Sequence, residues 1–205
     1  KLLELFNDKF INQYDYGLFS TVEHPKVKKL INSIKVHNLG YKLLRVGPNG
    51  DGGYLVPDVL SKITACFSPG VGSKHGFEED LLKRGIKIYM TDKTVEKPNL
   101  SIKNYKFLKK NIGIYDDEET ITIDTWINNS EIQNNLLLQM DIEGSEYGAI
   151  NSINESNLKK IKVMVIEFHH FEQVLTKMGY LVVKNVLQKI LKYFDVAHIH
   201  SNNCC

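Results

Sequence analysis

A dense group of carboxylates follows one apolar segment of the sequence. Asp141, Glu143 and Glu146 lie within six residues of one another, directly after the apolar run at 135–140. Three carboxylates at the end of a buried segment are costly unless they bind a ligand or face water. Extended backbone would point Asp141 and Glu143 to the same side. A structural alternative is that Asp141 or Ser145 caps a helix, but the density of charge favours a functional site.

A second polar group follows the apolar run at 163–166. It contains Glu167, His169 and His170. Histidine exchanges protons near neutral pH, and a glutamate with a histidine is a common pair of metal ligands. A lone histidine would indicate a structural role, whereas two histidines beside a glutamate favour proton transfer or metal binding.

A glycine-rich turn and a later aspartate form a nucleotide-binding pattern. Gly70, Val71 and Gly72 follow the strand-like run at 63–67. With Gly76 they form the spacing G-x-G-x-x-x-G, which is one residue longer than the dinucleotide fingerprint. Small residues allow the backbone to approach a ligand closely. Asp92 lies 20 residues after Gly72 and could accept hydrogen bonds from two ribose hydroxyls. The pair predicts an adenosine-containing ligand without distinguishing NAD from S-adenosylmethionine.

Alternating strands and helices must position these residues. The predicted strands are 63–67, 86–90, 105–108, 121–123, 135–140, 163–166 and 196–200. The predicted helices are 77–84, 147–153 and 180–194. This alternation is typical of a single doubly wound α/β domain, in which helices cover both faces of a parallel sheet. Ligands bind at the carboxyl ends of such strands, where the polar groups lie.

The start of the chain is predicted to be a helical extension. Apolar residues in 1–40 repeat with a helical period, and Pro25 and Gly40 are expected to begin and end the second helix. Residues 41–205 would form the core. The segment 41–56 is predicted to be a β-hairpin because Asn-Gly and Asp-Gly pairs interrupt two apolar runs.

The overall composition is that of a globular protein. The chain has 205 residues, of which 42% are hydrophobic and 24% charged, and its net charge of +2 does not indicate a nucleic-acid binder. Cys66, Cys204 and Cys205 form neither a disulfide framework nor a zinc spacing, so we expect a reducing, cytoplasmic location. The sequence shows no transmembrane run or signal peptide. Because it begins at Lys1, we expect it to be part of a longer chain.

Four segments resemble one family of enzymes. Residues 137–146 resemble the Lys-x-Asp-[Ile/Val]-Glu-Gly-x-Glu signature of FkbM-type S-adenosylmethionine-dependent methyltransferases. Residues 121–127 are similar to the family's Leu-Asp-x-Trp segment, and 165–167 to its next strand, which ends in Glu. Residues 45–54 resemble the Arg-x-Gly…Asp-Gly-Gly-Tyr leader of one branch of the family.

The resemblance implies a fold, an activity and a cofactor site. The fold would be the class I, Rossmann-like methyltransferase fold, with a mostly parallel seven-stranded sheet and one reversed strand near the C-terminus. The activity would be O-methylation of a sugar or glycan hydroxyl. Gly70, Val71, Gly72 and Asp92 would contact S-adenosylmethionine, and Asp117, with Asp116, would lie near the adenine. Ser68 stands where the family's glycine loop usually has an acidic residue.

The acceptor hydroxyl would need a base. A sugar hydroxyl is a poor nucleophile until it loses its proton, so we predict Glu143 as the base, with His169 as its competitor and Asp141 beside the cofactor. Similarity to macrocin-type sugar O-methyltransferases implies that Asp141 and Glu167 bind Mg²⁺ or Mn²⁺. Phe168 replaces the last acid of that site, so His169 would complete the set of ligands.

Two other classes of protein share some of these features. A nicotinamide-dependent oxidoreductase would use the glycine loop and Asp92, but it would not need the carboxylates at 141–146. A non-catalytic docking module of a glycan-assembly enzyme would keep the fold without the chemistry. We also expect a sugar or glycan as partner and, because we expect the sequence to be part of a longer chain, a fused or associated glycosyltransferase.

Overall fold

The protein is an α/β structure, and the computed structural model describes residues 20–201. The strands are β1 (Leu43–Val46), β2 (Tyr54–Pro57), β3 (Ala65–Pro69), β4 (Lys87–Thr91), β5 (Tyr105–Leu108), β6 (Asn111–Ile112), β7 (Thr120–Ile121), β8 (Leu136–Met140) and β9 (Ile161–Ile166). The α-helices are α1 (His24–Ile31), α2 (Gly76–Lys83), α3 (Ile123–Asn128), α4 (Glu146–Ser152), α5 (Glu155–Leu158) and α6 (Lys177–Leu191). Short 3₁₀ helices lie at Asn32–Ile34, Leu60–Lys62 and Phe171–Leu175.

Five parallel strands form the main sheet, in the order β5-β4-β3-β8-β9. All five residues of β3 and of β8 are buried, as expected for central strands covered on both faces. The chain runs outward from β3 to β5 and then returns to β8 on the other side of β3. This change of direction opens a crevice at the carboxyl ends of β3 and β8.

The core lies on both faces of this sheet. Successive strand residues point to opposite faces, so Cys66 and Leu137 pack in one apolar cluster and Phe67 and Leu138 in the other. The Phe67 ring meets the edge of Trp126 at 4.9 Å between centroids. The predicted α/β fold with a parallel sheet covered on both faces is therefore confirmed.

The predicted hairpin is confirmed as the antiparallel pair β1 and β2. The Arg45 guanidinium holds its turn by donating to the carbonyls of Pro48 at 2.7 Å and Gly50 at 3.0 Å. The hairpin is attached to α2 because Gly47 N–H donates to Asp80 Oδ2 at 3.0 Å. This attachment brings Tyr54, at the start of β2, to the crevice.

Some predicted boundaries are wrong. Pro25 lies in the first turn of α1 as predicted, but helical structure ends at Ile34 rather than Gly40. The rest of the predicted extension, 1–19, lies outside the described residues. The strand predicted at 121–123 ends at Ile121, because Thr122 caps α3 by accepting a hydrogen bond from Thr125 N–H at 3.2 Å.

The predicted strand at 196–200 is also wrong. The segment pairs with no strand among residues 20–201, and Val196 accepts one backbone hydrogen bond from His37 at 2.8 Å. Ile199 is half exposed, so burial does not drive strand formation here. The seven strands and the reversed strand are not confirmed, since the main sheet has five parallel strands in the described part of the chain. No helix in that part has the length and apolarity required to span a bilayer.

Candidate functional site

The crevice between β3 and β8 gathers most of the residues predicted to be functional. Its walls come from the hairpin, the loop after β3, the start of α2 and the residues after β4 and β8. Gly70, Val71, Gly72 and Asp92 lie on it together with Asp141. The structure therefore places the predicted nucleotide-binding residues beside the predicted chemical ones.

The glycine loop is closely packed against the end of β8. Gly70 has φ of 75°, and a Cβ atom added there would lie 1.8 Å from the Asp141 carbonyl oxygen. Only glycine combines this backbone conformation with so close an approach. Gly72 N–H donates to Asp92 Oδ2 at 3.0 Å, which joins the loop to the end of β4.

Asp92 retains capacity for a ligand. Its Oδ1 accepts hydrogen bonds from Thr94 N–H at 2.7 Å and Thr94 Oγ1 at 2.6 Å, while Oδ2 accepts a single bond from the described residues, that from Gly72. A carboxylate oxygen accepts about two hydrogen bonds. Oδ2 can therefore accept one more from a hydroxyl bound in the crevice.

Glu146 is the fully buried member of the acidic cluster. Its side chain is completely buried, and its Oε1 accepts hydrogen bonds from Ile142 N–H at 3.0 Å and Gly144 N–H at 3.2 Å. Positive φ angles at Glu143 (54°) and Gly144 (100°) form the turn at these residues. The same oxygen lies 2.9 Å from His169 Nδ1. A buried carboxylate thus holds one ring nitrogen of His169.

The other ring nitrogen of His169 faces the cluster. His169 Nε2 lies 3.6 Å from Asp141 Oδ1 and 3.5 Å from Glu143 Oε2. Burial disfavours the imidazolium, but the hydrogen bond to Glu146 and the charges of the three carboxylates outweigh it and raise the pKa of His169. Tyr147 Oη fixes the backbone by donating to the His169 carbonyl at 2.9 Å.

The hydroxyl of Tyr54 lies within hydrogen-bonding distance of both Asp141 and Glu167. Tyr54 Oη lies 3.3 Å from Asp141 Oδ2 and 3.2 Å from Glu167 Oε2, and its single proton can serve one of them at a time. Burial and the charge of Glu167 raise the pKa of Asp141 to about 6. Burial and the same two carboxylates raise the pKa of Tyr54.

Three ligand atoms lie close enough together that they could hold a divalent cation. One each from Asp141, Glu143 and His169 lie within 4.8 Å of one another. Two carboxylates and an imidazole suit Mn²⁺, and carboxylates suit Mg²⁺. Glu146 would orient the imidazole from behind, as carboxylates do for metal-bound histidines. The set predicted from the sequence included Glu167, which lies outside this group and contacts Tyr54 instead.

The crevice is not lined by Asp116, Asp117 or His170. Asp117 accepts hydrogen bonds from Glu119 N–H at 2.8 Å and Thr120 N–H at 2.6 Å, which makes it a turn residue. Asp116 likewise accepts from Thr122 N–H at 2.7 Å. Neither carboxylate is placed to contact an adenine in the crevice, because each is used by its own loop. His170 is exposed.

Sequence reasoning assigned no role to Glu146 or Glu78. A role for Glu146 could have been inferred from the sequence, because it is the third carboxylate of the cluster and ends the segment that resembles the family signature. Glu78 lies on the buried face of α2 with Phe77 and Leu81. A glutamate among apolar residues on one helical face is a signal that could have indicated it.

Comparison with known proteins identifies the family. The model of the FkbM methyltransferase domain matches residues 29–196, which is most of the chain. No curated protein and no solved structure gives a significant match. The matched range contains the whole sheet, the glycine loop and the acidic cluster. The chain therefore belongs to the FkbM methyltransferase-domain family.

Proposed function

We propose that this protein is an S-adenosylmethionine-dependent O-methyltransferase that acts on a hydroxyl of a sugar or glycan. The observation that carries the proposal is His169, held by buried Glu146 on one side and open towards Asp141 and Glu143 on the other. The two carboxylates that His169 faces, Asp141 and Glu143, line the same crevice as the glycine loop and Asp92.

The cofactor would lie along the loop after β3. Gly70, Val71 and Gly72 offer small side chains and a close-packed backbone, and Asp92 Oδ2 can accept a ribose hydroxyl. When bound, S-adenosylmethionine supplies a methyl group on a sulfonium that is already activated for transfer. The protein then has to align an acceptor and remove its proton.

His169 is better placed than Glu143 to take that proton. Glu143 has 88% of its side chain exposed, whereas the His169 side chain is 22% exposed and is oriented by Glu146. Glu146 also stabilises the imidazolium that forms once Nε2 accepts a proton, because its charge lies at Nδ1. We therefore place the proton on His169 Nε2 and treat Glu146 as its positioning residue.

A divalent cation would change these roles. Mg²⁺ or Mn²⁺ bound at Asp141, Glu143 and His169 would lower the pKa of a coordinated hydroxyl. His169 Nε2 would then be a ligand and unable to accept a proton. Removal of metal with a chelator distinguishes the two cases, since activity that survives chelation excludes a metal-bound His169 and leaves its Nε2 free to accept the proton.

The experiment is a transfer assay with methyl-labelled S-adenosylmethionine and a panel of carbohydrate acceptors. We expect label in a base-stable methyl ether, and we expect His169→Gln to lower kcat by about 100-fold or more, in the range of lost general-base catalysis. His170→Gln is the matched control, because His170 is exposed and should retain wild-type activity. Full activity of His169→Gln, or label on an amine, would refute the proposal.

A further inference from the structure

Glu78 presents a buried carboxylate on the wall of the crevice. It projects from α2, is 3% exposed and lines the crevice together with Gln139. Its Oε1 lies 2.5 Å from Ser68 Oγ, and that hydroxyl lies 2.6 Å from Gln139 Oε1. The hydroxyl has one proton to donate, so it cannot satisfy both oxygens.

This carboxylate lacks a cationic partner within the described structure. Ser68 and Glu79 interact with it, and neither residue is a cation. Burial raises the pKa of Glu78, because the ionised carboxylate loses hydration there and the surrounding residues do not fully replace it. A buried carboxylate becomes favourable when a cation is brought next to it. The missing partner is therefore expected to be a positively charged group of the ligand.

The contact between Ser68 and Glu78 joins the end of β3 to α2. Ser68 is the fourth residue of β3 and stands two positions before Gly70. The hydrogen bond between Ser68 and Glu78 brings a carboxylate to the same place from a different element. β3 supplies the Ser68 hydroxyl, and α2 supplies the Glu78 carboxylate.

We propose that Glu78 binds the α-ammonium group of S-adenosylmethionine and so selects a ligand with an amino-acid tail. This assignment rests on the proposed function, because it takes the crevice to be the cofactor site. S-adenosylmethionine carries an ammonium group on that tail, whereas a neutral nucleoside does not. Gln139, on the same wall, completes the polar surface around Glu78.

The test is calorimetric titration with S-adenosylhomocysteine and with its deamino analogue, in which hydrogen replaces the amino group. The wild type should bind S-adenosylhomocysteine about 10-fold or more tightly than the analogue, as expected for a charge-assisted hydrogen bond. Glu78→Gln should bind the two ligands with equal affinity. Glu79→Gln changes the neighbouring carboxylate of α2, which does not line the crevice, and should keep the wild-type preference.

Three outcomes separate this inference from the function on which it rests. If Glu78→Gln keeps the wild-type preference for the ammonium group, the inference is wrong and the proposed function stands. The same holds if the wild type binds both ligands equally. If the folded wild type binds neither ligand, the proposed function fails as well. Should Glu78→Gln not fold, Glu78→Asp withdraws the carboxylate and should reduce the preference, and an unreduced preference would refute the assignment.

Discussion

In the proposed mechanism, each ring nitrogen of His169 has a different task because the two nitrogens face different carboxylates. Glu146 is fully buried and fixed by two backbone N–H groups, so it can orient Nδ1 permanently. Asp141 and Glu143 lie at 3.6 Å and 3.5 Å from Nε2, on the crevice side. In the proposed mechanism, this arrangement keeps the imidazole in one orientation, with Nε2 facing the two carboxylates that line the crevice.

Replacement of Glu146 should change both the rate and its pH dependence. Glu146→Gln removes a negative charge beside Nδ1 and therefore lowers the pKa of His169. The neutral, accepting form of His169 then persists to lower pH, so the acidic limb of the pH–rate profile should move downward. We expect kcat at neutral pH to fall by about 10- to 100-fold as orientation is lost. An unchanged limb would show that Glu146 has only a structural role. Glu155→Gln, in an exposed ion pair with Lys192, is the control.

Asp141 should reduce the stability of the fold at neutral pH. Its pKa in the folded protein is about 6, above its ordinary 3.8, so the folded state binds this proton more tightly than the unfolded state. The free energy of unfolding therefore falls as pH rises from about 4 to about 6 and then stays low. This pKa difference corresponds to at most about 3 kcal/mol, and partial exposure reduces the expected effect to about 1–2 kcal/mol.

Asp141→Asn should accordingly raise the free energy of unfolding at pH 7.5 and have a smaller effect at pH 4. Chemical denaturation at both pH values measures the difference. Glu143→Gln alters an exposed carboxylate of the same cluster and should change stability little. An Asp141→Asn variant that is less stable than the wild type at pH 7.5 would contradict this account of Asp141.

At the scale of elements, the loop after β3 depends on contact with the end of β8. Gly70→Ala would place a Cβ atom 1.8 Å from the Asp141 carbonyl oxygen, and backbone would have to move. We expect a loss of about 3 kcal/mol or more in the free energy of unfolding. Gly72→Ala is the matched control, since it shares a positive φ (52°) but has no atom within 4 Å of the added Cβ. It should cost only about 1 kcal/mol. Equal losses in thermal or chemical unfolding would refute this view of the loop.

The secondary-structure elements could be predicted from the sequence more readily than the contacts between them. Buried strands such as β3 and β8 are predictable because their apolar runs end sharply at polar residues. Side-chain contacts between distant elements are not predictable in this way: Tyr54 lies 87 positions from Asp141 in sequence, and the packing of the hairpin against α2 and β9 brings them together. The apolar run at 196–200 suggested a strand, but strand formation requires a neighbouring strand, and none pairs with this segment among residues 20–201.

At the scale of the whole molecule, one crevice unites four separate parts of the chain. The hairpin contributes Tyr54, the loop after β3 contributes Gly70, α2 contributes Glu78, and the end of β8 contributes Asp141. The order β5-β4-β3-β8-β9 makes these parts meet, because the chain changes direction between its two central strands. Asp117 was expected here from resemblance alone, but local hydrogen bonds keep it in its own turn.

The central claim is that this crevice binds an S-adenosyl ligand for methyl transfer. Its most direct test is calorimetric titration of the folded protein with S-adenosylhomocysteine and, separately, with NADH. We predict a Kd on the order of 1–50 μM for S-adenosylhomocysteine and no binding of NADH. Binding of NADH alone would indicate an oxidoreductase, binding of neither ligand would indicate a non-catalytic module, and either result would contradict the claim.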